Sequence, residues 1–139
     1  GEKMNYKYIL KEGDTSEASK GFFIKDGRLL LVKPTGDGDR YDIPGGKIKF
    51  GESREQGLYR ECLEEVNLKI KKAKFIGKDE EREKNYFIVT EWDGEIFLQA
   101  EELEKYRWVT LETVDHYYLT KTAYKGFTDY LLRELYGRV

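Results

Sequence analysis

The 139-residue chain contains one cysteine, Cys62, and one histidine, His116. One cysteine excludes a disulfide framework and a cysteine-rich zinc site. One histidine excludes a multi-histidine metal site within a single chain, and no nucleophile motif accompanies His116 to build a triad around it. A metal site is therefore expected from oxygen ligands, which points to magnesium or manganese rather than zinc or copper. No run approaches 18 apolar residues, so no membrane-spanning helix and no membrane partner are expected. No charged-then-apolar leader opens the chain, and the default expectation is a cytoplasmic protein. Met4 is the sole methionine, so residues 1–3 read as preceding a natural start. The formal charge is −2 with no large basic block, which argues against long nucleic acid as the main partner.

What is present suits one globular domain spanning residues 1–139. The composition is 39% hydrophobic and 37% charged, too apolar for disorder. Residues 6–10 alternate weakly and read as a first strand. Phe22-Phe23-Ile24 and residues 29–32 flank Asp26-Gly27, a hairpin signal. Residues 35–40 form a polar loop, and residues 47–50 a short extended piece. Residues 68–76 alternate as a strand, and residues 78–84 read as a solvated charged loop. A second hairpin is expected between residues 86–92 and 95–98 across Asp93-Gly94, with a further strand over residues 106–109. Thr120 or Thr122 caps a last helix in which Ala123, Phe127, Leu131 and Leu135 recur at i+4. Strands, one helix, strands and a last helix define an α+β domain, layered α/β/α around a mixed sheet.

The chemistry concentrates between Gly46 and Leu68. Ser53 with Gln56 forms a capping box, so a helix starts there; Asn67 supplies a left-handed stop. At 100° per residue, Leu58, Cys62, Val66, Tyr59 and Leu63 share an apolar arc. Cys62 thus reads as a small core hydrophobe. Glu61, Glu64 and Glu65 lie beside that arc at i, i+3, i+4, where like charges repel by roughly 0.2–0.5 kcal/mol per pair. A divalent cation is the simplest offset. Gly57 lies on the glutamate side, where a missing side chain admits a close neighbour. Pro44-Gly45-Gly46 allows backbone groups to approach a ligand. Arg60 can grip Glu52 bidentately and orient the glutamates.

Joined, Gly46-x5-Glu52-x7-Arg60-Glu61-Cys62-x-Glu64-Glu65-x-Asn67-Leu68 resembles the box of the Nudix hydrolase (MutT-like) family. Asn67 stands where the family usually has Gly, and Asn tolerates the left-handed cap. The resemblance is most specific over residues 41–68 and extends loosely through Tyr106-Arg107-Trp108-Val109. It implies the Nudix α/β/α sandwich and Mg2+- or Mn2+-dependent hydrolysis of a nucleoside diphosphate linked to another group, by water attack at phosphorus. By position it makes Glu61, Glu64, Glu65 and the Gly46 carbonyl metal ligands, with Glu61 also a base for the water. Arg60 and Glu52 orient these carboxylates. The late-loop glutamate of the family falls on Glu102, with Glu101 or Glu104 as substitutes.

Lys33 and Arg40 are positioned to meet phosphates, while Phe23, Tyr41 or Tyr86 could stack on a base. Tyr86, 18 residues past Leu68, resembles the pattern of dinucleoside polyphosphate hydrolases. No proline occurs between residues 69 and 86, where ADP-ribose enzymes often carry one. The substrate expectation is a (d)NTP or a dinucleoside polyphosphate, held nearly level. A non-catalytic nucleotide sensor or interaction domain is the rival, against which stands the full set of box glutamates. The oligomeric state is not readable.

Overall fold

The computed structural model describes residues 10–36, 38–116, 129–131 and 133–134. The strands are β1 (Asp14–Lys25), β2 (Arg28–Pro34), β3 (Gly45–Lys49), β4 (Lys69–Asp79), β5 (Lys84–Asp93) and β6 (Leu103–Thr110). Helix α1 (Arg54–Val66) falls between β3 and β4, and a 3-10 turn (Leu111–His116) follows β6. The sheet order is β4-β5-β1-β2-β6, with β3 pairing on β1. Only β1 and β5 run parallel; the other pairs are antiparallel, so the sheet is mixed as expected.

The first hairpin forms as its turn residues require. Asp26 and Gly27 have φ of 52° and 71°, and Ile24 faces Leu29. Positive φ at both central residues gives the turn the twist of the flanking strands. Alternation along the strands then produces two apolar faces. Phe23, Leu30, Val32, Phe87 and Val89 pack with Leu58, Cys62 and Val66 of α1. Phe22, Leu29, Leu31, Ile43, Tyr86 and Ile88 pack on the opposite side with Leu111, Val114 and Leu131, the last lying in helical residues. Helical segments thus cover both faces.

The structure corrects several sequence expectations. Residues 95–98 are not a strand, and β5 forms its hairpin with β4. The charged stretch at 78–84 includes the turn of that hairpin, where Arg82 N donates to Asp79 Oδ1 at 3.1 Å. Gly94 has φ of 104°, and a Cβ there would stand 2.6 Å from the Asn67 carbonyl. The chain therefore bends against the end of α1, where Phe97 N and Gln99 N donate to the Val66 and Glu65 carbonyls at 3.0 and 2.9 Å. Orphan helix carbonyls outcompete a local hairpin for those amides.

Tyr59 and Leu63 are exposed, whereas Gly57 and Glu65 are buried. The covered arc is thus rotated toward β3, and Ile48 closes over Gly57, where an added Cβ would meet Ile48 Cγ1 at 3.0 Å. Of the expected first strand only Leu10 is described, and it is exposed without strand structure. Most of the expected last helix, including Ala123, Phe127 and Leu135, lies outside the described residues, as does the side chain of His116. Among the described residues no helix is long and apolar enough to cross a membrane.

Candidate active site and metal centre

The helix start is built as its sequence demands. Gln56 N donates to Ser53 Oγ at 3.1 Å and Ser53 N to Gln56 Oε1 at 2.8 Å, closing the capping box. At the other end Asn67 adopts φ 63°, ψ 28°, and its N–H reaches the Leu63 carbonyl at 3.1 Å. In the second turn of the helix, Arg60 organises the surroundings. Its Nε and Nη2 grip Glu52 at 2.7 and 2.9 Å, Nη2 also donates to the Lys47 carbonyl at 3.0 Å, and Nη1 reaches Glu61 and Glu64 at 3.1 Å each. One planar fork thus ties α1 to β3 and aims a glutamate. The Arg60 hydrogen bonds hold the Glu52 carboxyl below the usual carboxylate range against the opposing effect of burial, assisted by the Lys49 N–H at 2.8 Å.

Glu61, Glu65 and Glu102 converge, with one carboxylate oxygen of each within 4.8 Å of the others. Gly46 makes room for this, since a Cβ there would stand 2.5 Å from Glu61 Oε2. Glu65 is 0% exposed and accepts a long bond from Gly45 N at 3.4 Å. Glu102 arrives from far along the chain because the 95–99 segment is fastened to the end of α1. Its amide donates to the Gln99 carbonyl at 3.0 Å and its carbonyl accepts from Thr35 N at 2.9 Å.

Three carboxylates at that spacing repel by on the order of 3 kcal/mol per pair at an effective dielectric near 20. Lys11 supplies part of the compensation, with Nζ 3.0 Å from Glu102 Oε1. Its ammonium pKa is raised, first by the Glu102 hydrogen bond and then by the charges of Glu102 and Glu61. The donor set is all oxygen, anionic and largely enclosed. That is the environment a hard divalent cation requires, so the residues fit Mg2+ or Mn2+.

The remaining expected residues separate. Glu64 is 53% exposed in its side chain and shares Arg60 Nη1 with Glu61, without being one of the converging trio. Lys33 is buried and paired with Glu104 at 2.8 Å, so its ammonium is already engaged by a carboxylate of β6. Arg40 is exposed in the loop before Tyr41. The Tyr41 hydroxyl accepts from Arg107 Nε at 3.1 Å, and its ring is buried. Tyr86 is enclosed in the core, stacked on Phe22 at 5.7 Å between centroids. Phe23 is likewise enclosed, beneath α1. The stacking surface expected of Phe23 and Tyr86 is therefore occupied by their own core neighbours.

The buried pair of Lys20 Nζ and Asp42 Oδ2, at 2.9 Å, escapes sequence reasoning. Its one local signal is Asp42, a charge set between Tyr41 and Ile43. It joins β1 to the segment leading into Gly45, opposite Lys20 in the sheet register.

Comparison with known proteins decides the family. A family model for the NUDIX domain matches residues 19–131. The chain belongs to the Nudix family. It is a MutT-like Nudix hydrolase, a class acting on phosphoric anhydride bonds. It is 30% identical over 104 residues to an 8-oxo-dGTP diphosphatase of Buchnera aphidicola, covering 70% of this chain and 78% of that one. Over 58 residues it is 41% identical to an RNA pyrophosphohydrolase of Teredinibacter turnerae, covering 40% of this chain and only 34% of that relative. Among solved structures, an Ap4A hydrolase from C. elegans superposes with a TM-score of 0.70 at 17% identity, covering 88% of this chain and all of that one. At that identity the likeness is one of fold.

Proposed function

We propose that this Nudix hydrolase is an Mg2+- or Mn2+-dependent nucleotide pyrophosphohydrolase whose substrate is a (d)NTP. The observation that carries the reading is the meeting of Glu61, Glu65 and Glu102 within 4.8 Å beside Gly46. These three carboxylates, with the Gly46 carbonyl, would hold the metal, which when bound neutralises diphosphate charge and lowers the cost of water attack. Glu61 is the proposed acceptor of the water proton. Arg60 touches one of its oxygens and fixes its orientation, which favours proton transfer along one direction. Glu52 acts on Arg60 and is a positioning residue. Glu64, bound to the same guanidinium, is proposed to tune Arg60.

A nucleoside triphosphate is favoured over a dinucleoside polyphosphate for two reasons. Tyr86, the residue that would mark a dinucleotide enzyme, has its ring enclosed and stacked on Phe22. A relative matched over 70% of this chain and 78% of its own length is named an 8-oxo-dGTP diphosphatase. The test is a panel of dNTPs, oxidised dNTPs, dinucleoside polyphosphates, ADP-ribose and capped RNA with Mg2+ or Mn2+. We expect nucleoside monophosphate and pyrophosphate from a triphosphate, abolished by Glu61→Gln. Turnover of no panel member would shift the reading to a nucleotide sensor.

A further inference from the structure

Lys11 lies outside the Nudix box, yet its ammonium is bound to a carboxylate of the acidic cluster. Its backbone is fixed. The Lys11 N–H donates to Asp14 Oδ2 at 2.9 Å, and its carbonyl accepts from Asp14 N at 3.0 Å. The turn is fastened in its own right by Phe50 N, which donates to the Gly13 carbonyl at 2.9 Å. Above this anchored root the side chain is 58% exposed, whereas its partner Glu102 is 10% exposed. Lysine is a compact charge on a flexible stem, so this arrangement is a tethered monovalent cation reaching into a buried anionic site from outside.

We propose that Lys11 is a placeholder cation. It neutralises Glu102 while the cluster holds no metal, and gives that carboxylate up when a divalent cation binds. The inference rests on the reading of Glu61, Glu65 and Glu102 as a metal centre. The physical reason is competition: Glu102 cannot keep the ammonium and serve a divalent ion without bringing two positive charges together. Lys11 thus limits repulsion among the carboxylates at the cost of weaker metal binding. An ordinary surface ion pair, contributing only to the local fold, would leave metal affinity unchanged.

The test is Mn2+ titration of the nucleotide-free protein, followed by the electron paramagnetic resonance signal of free Mn2+. Lys11→Met is expected to bind Mn2+ about 2- to 5-fold more tightly, the equivalent of an ion pair with one exposed partner. Lys11→Arg should match the wild type because it keeps the charge. In a Glu102→Gln background, Lys11→Met should add nothing. Unchanged or weaker binding by Lys11→Met overturns the placeholder role, as does equal tightening by Lys11→Arg. If Glu65→Gln still removes Mn2+ binding in that event, the metal centre itself stands. Wild-type protein showing no Mn2+ binding sensitive to Glu65→Gln overturns both readings.

Discussion

Glu64 and Glu65 are neighbours on one helix, and the fold treats them in opposite ways. Glu65 is enclosed, its carbonyl accepts from Gln99 N, and its carboxylate meets those of Glu61 and Glu102. Glu64 faces outward and accepts from Arg60 Nη1 at 3.1 Å. The two faces of α1 thus divide the work: the face toward β3 and Glu102 gathers charge, and the outward face leaves Tyr59 and Leu63 in solvent. Chemical identity does not distinguish an enclosed glutamate from a surface glutamate. What covers it does.

The sharpest break in this comparison is expected from paired substitutions at the two glutamates. Glu65→Gln should lower kcat/KM by roughly 10^2- to 10^3-fold, the size of loss expected on removing one preorganised electrostatic group. Glu64→Gln should cost less than about 10-fold. Steady-state kinetics on the preferred nucleotide would decide, and equal losses would remove the distinction between the faces.

A smaller contrast concerns stability. Leu58→Ala, under the sheet, should cost about 2–5 kcal/mol in urea unfolding. Leu63→Ser, on the outward face, should stay within about 0.5 kcal/mol of the wild type. A large loss at Leu63 would mean that something covers that face in solution.

The smallest effect is the pH dependence carried by Glu52. Its folded pKa is lowered by Arg60, so its contribution is present above the ordinary value of 4.5 and lost as pH falls through the folded value. Thermal unfolding should therefore show wild type above Glu52→Gln at neutral pH. The gap should narrow as the pH drops below 4.5. A gap that is constant across that range would assign Glu52 a role independent of its charge.

Most of α1 was legible because its signals are local. Ser53 and Gln56 close a box three residues wide, and Asn67 needs only a left-handed conformation to stop the helix. Asp26-Gly27 turned as read for the same reason. Asp93-Gly94 carried an equal signal and failed, because the amides beyond it had a better offer from the open carbonyls of α1. That one substitution of partners converts an expected strand into the strap that delivers Glu102. Tyr86 and Lys33 were misplaced on a different ground. Alternation says that a residue faces one side of a sheet, but not whether ligand, helix or another strand stands there.

The spacing of Gly46, Glu52, Arg60, Glu61, Glu64 and Glu65 carried the resemblance to the Nudix family, and helical geometry sets Arg60, Glu61, Glu64 and Glu65 on adjoining turns of α1. Which glutamates become enclosed, which oxygen joins them from Glu102, and that Lys11 closes on the group were settled by contacts between distant segments. A helical wheel orders side chains by angle and is blind to what occupies the space at each angle.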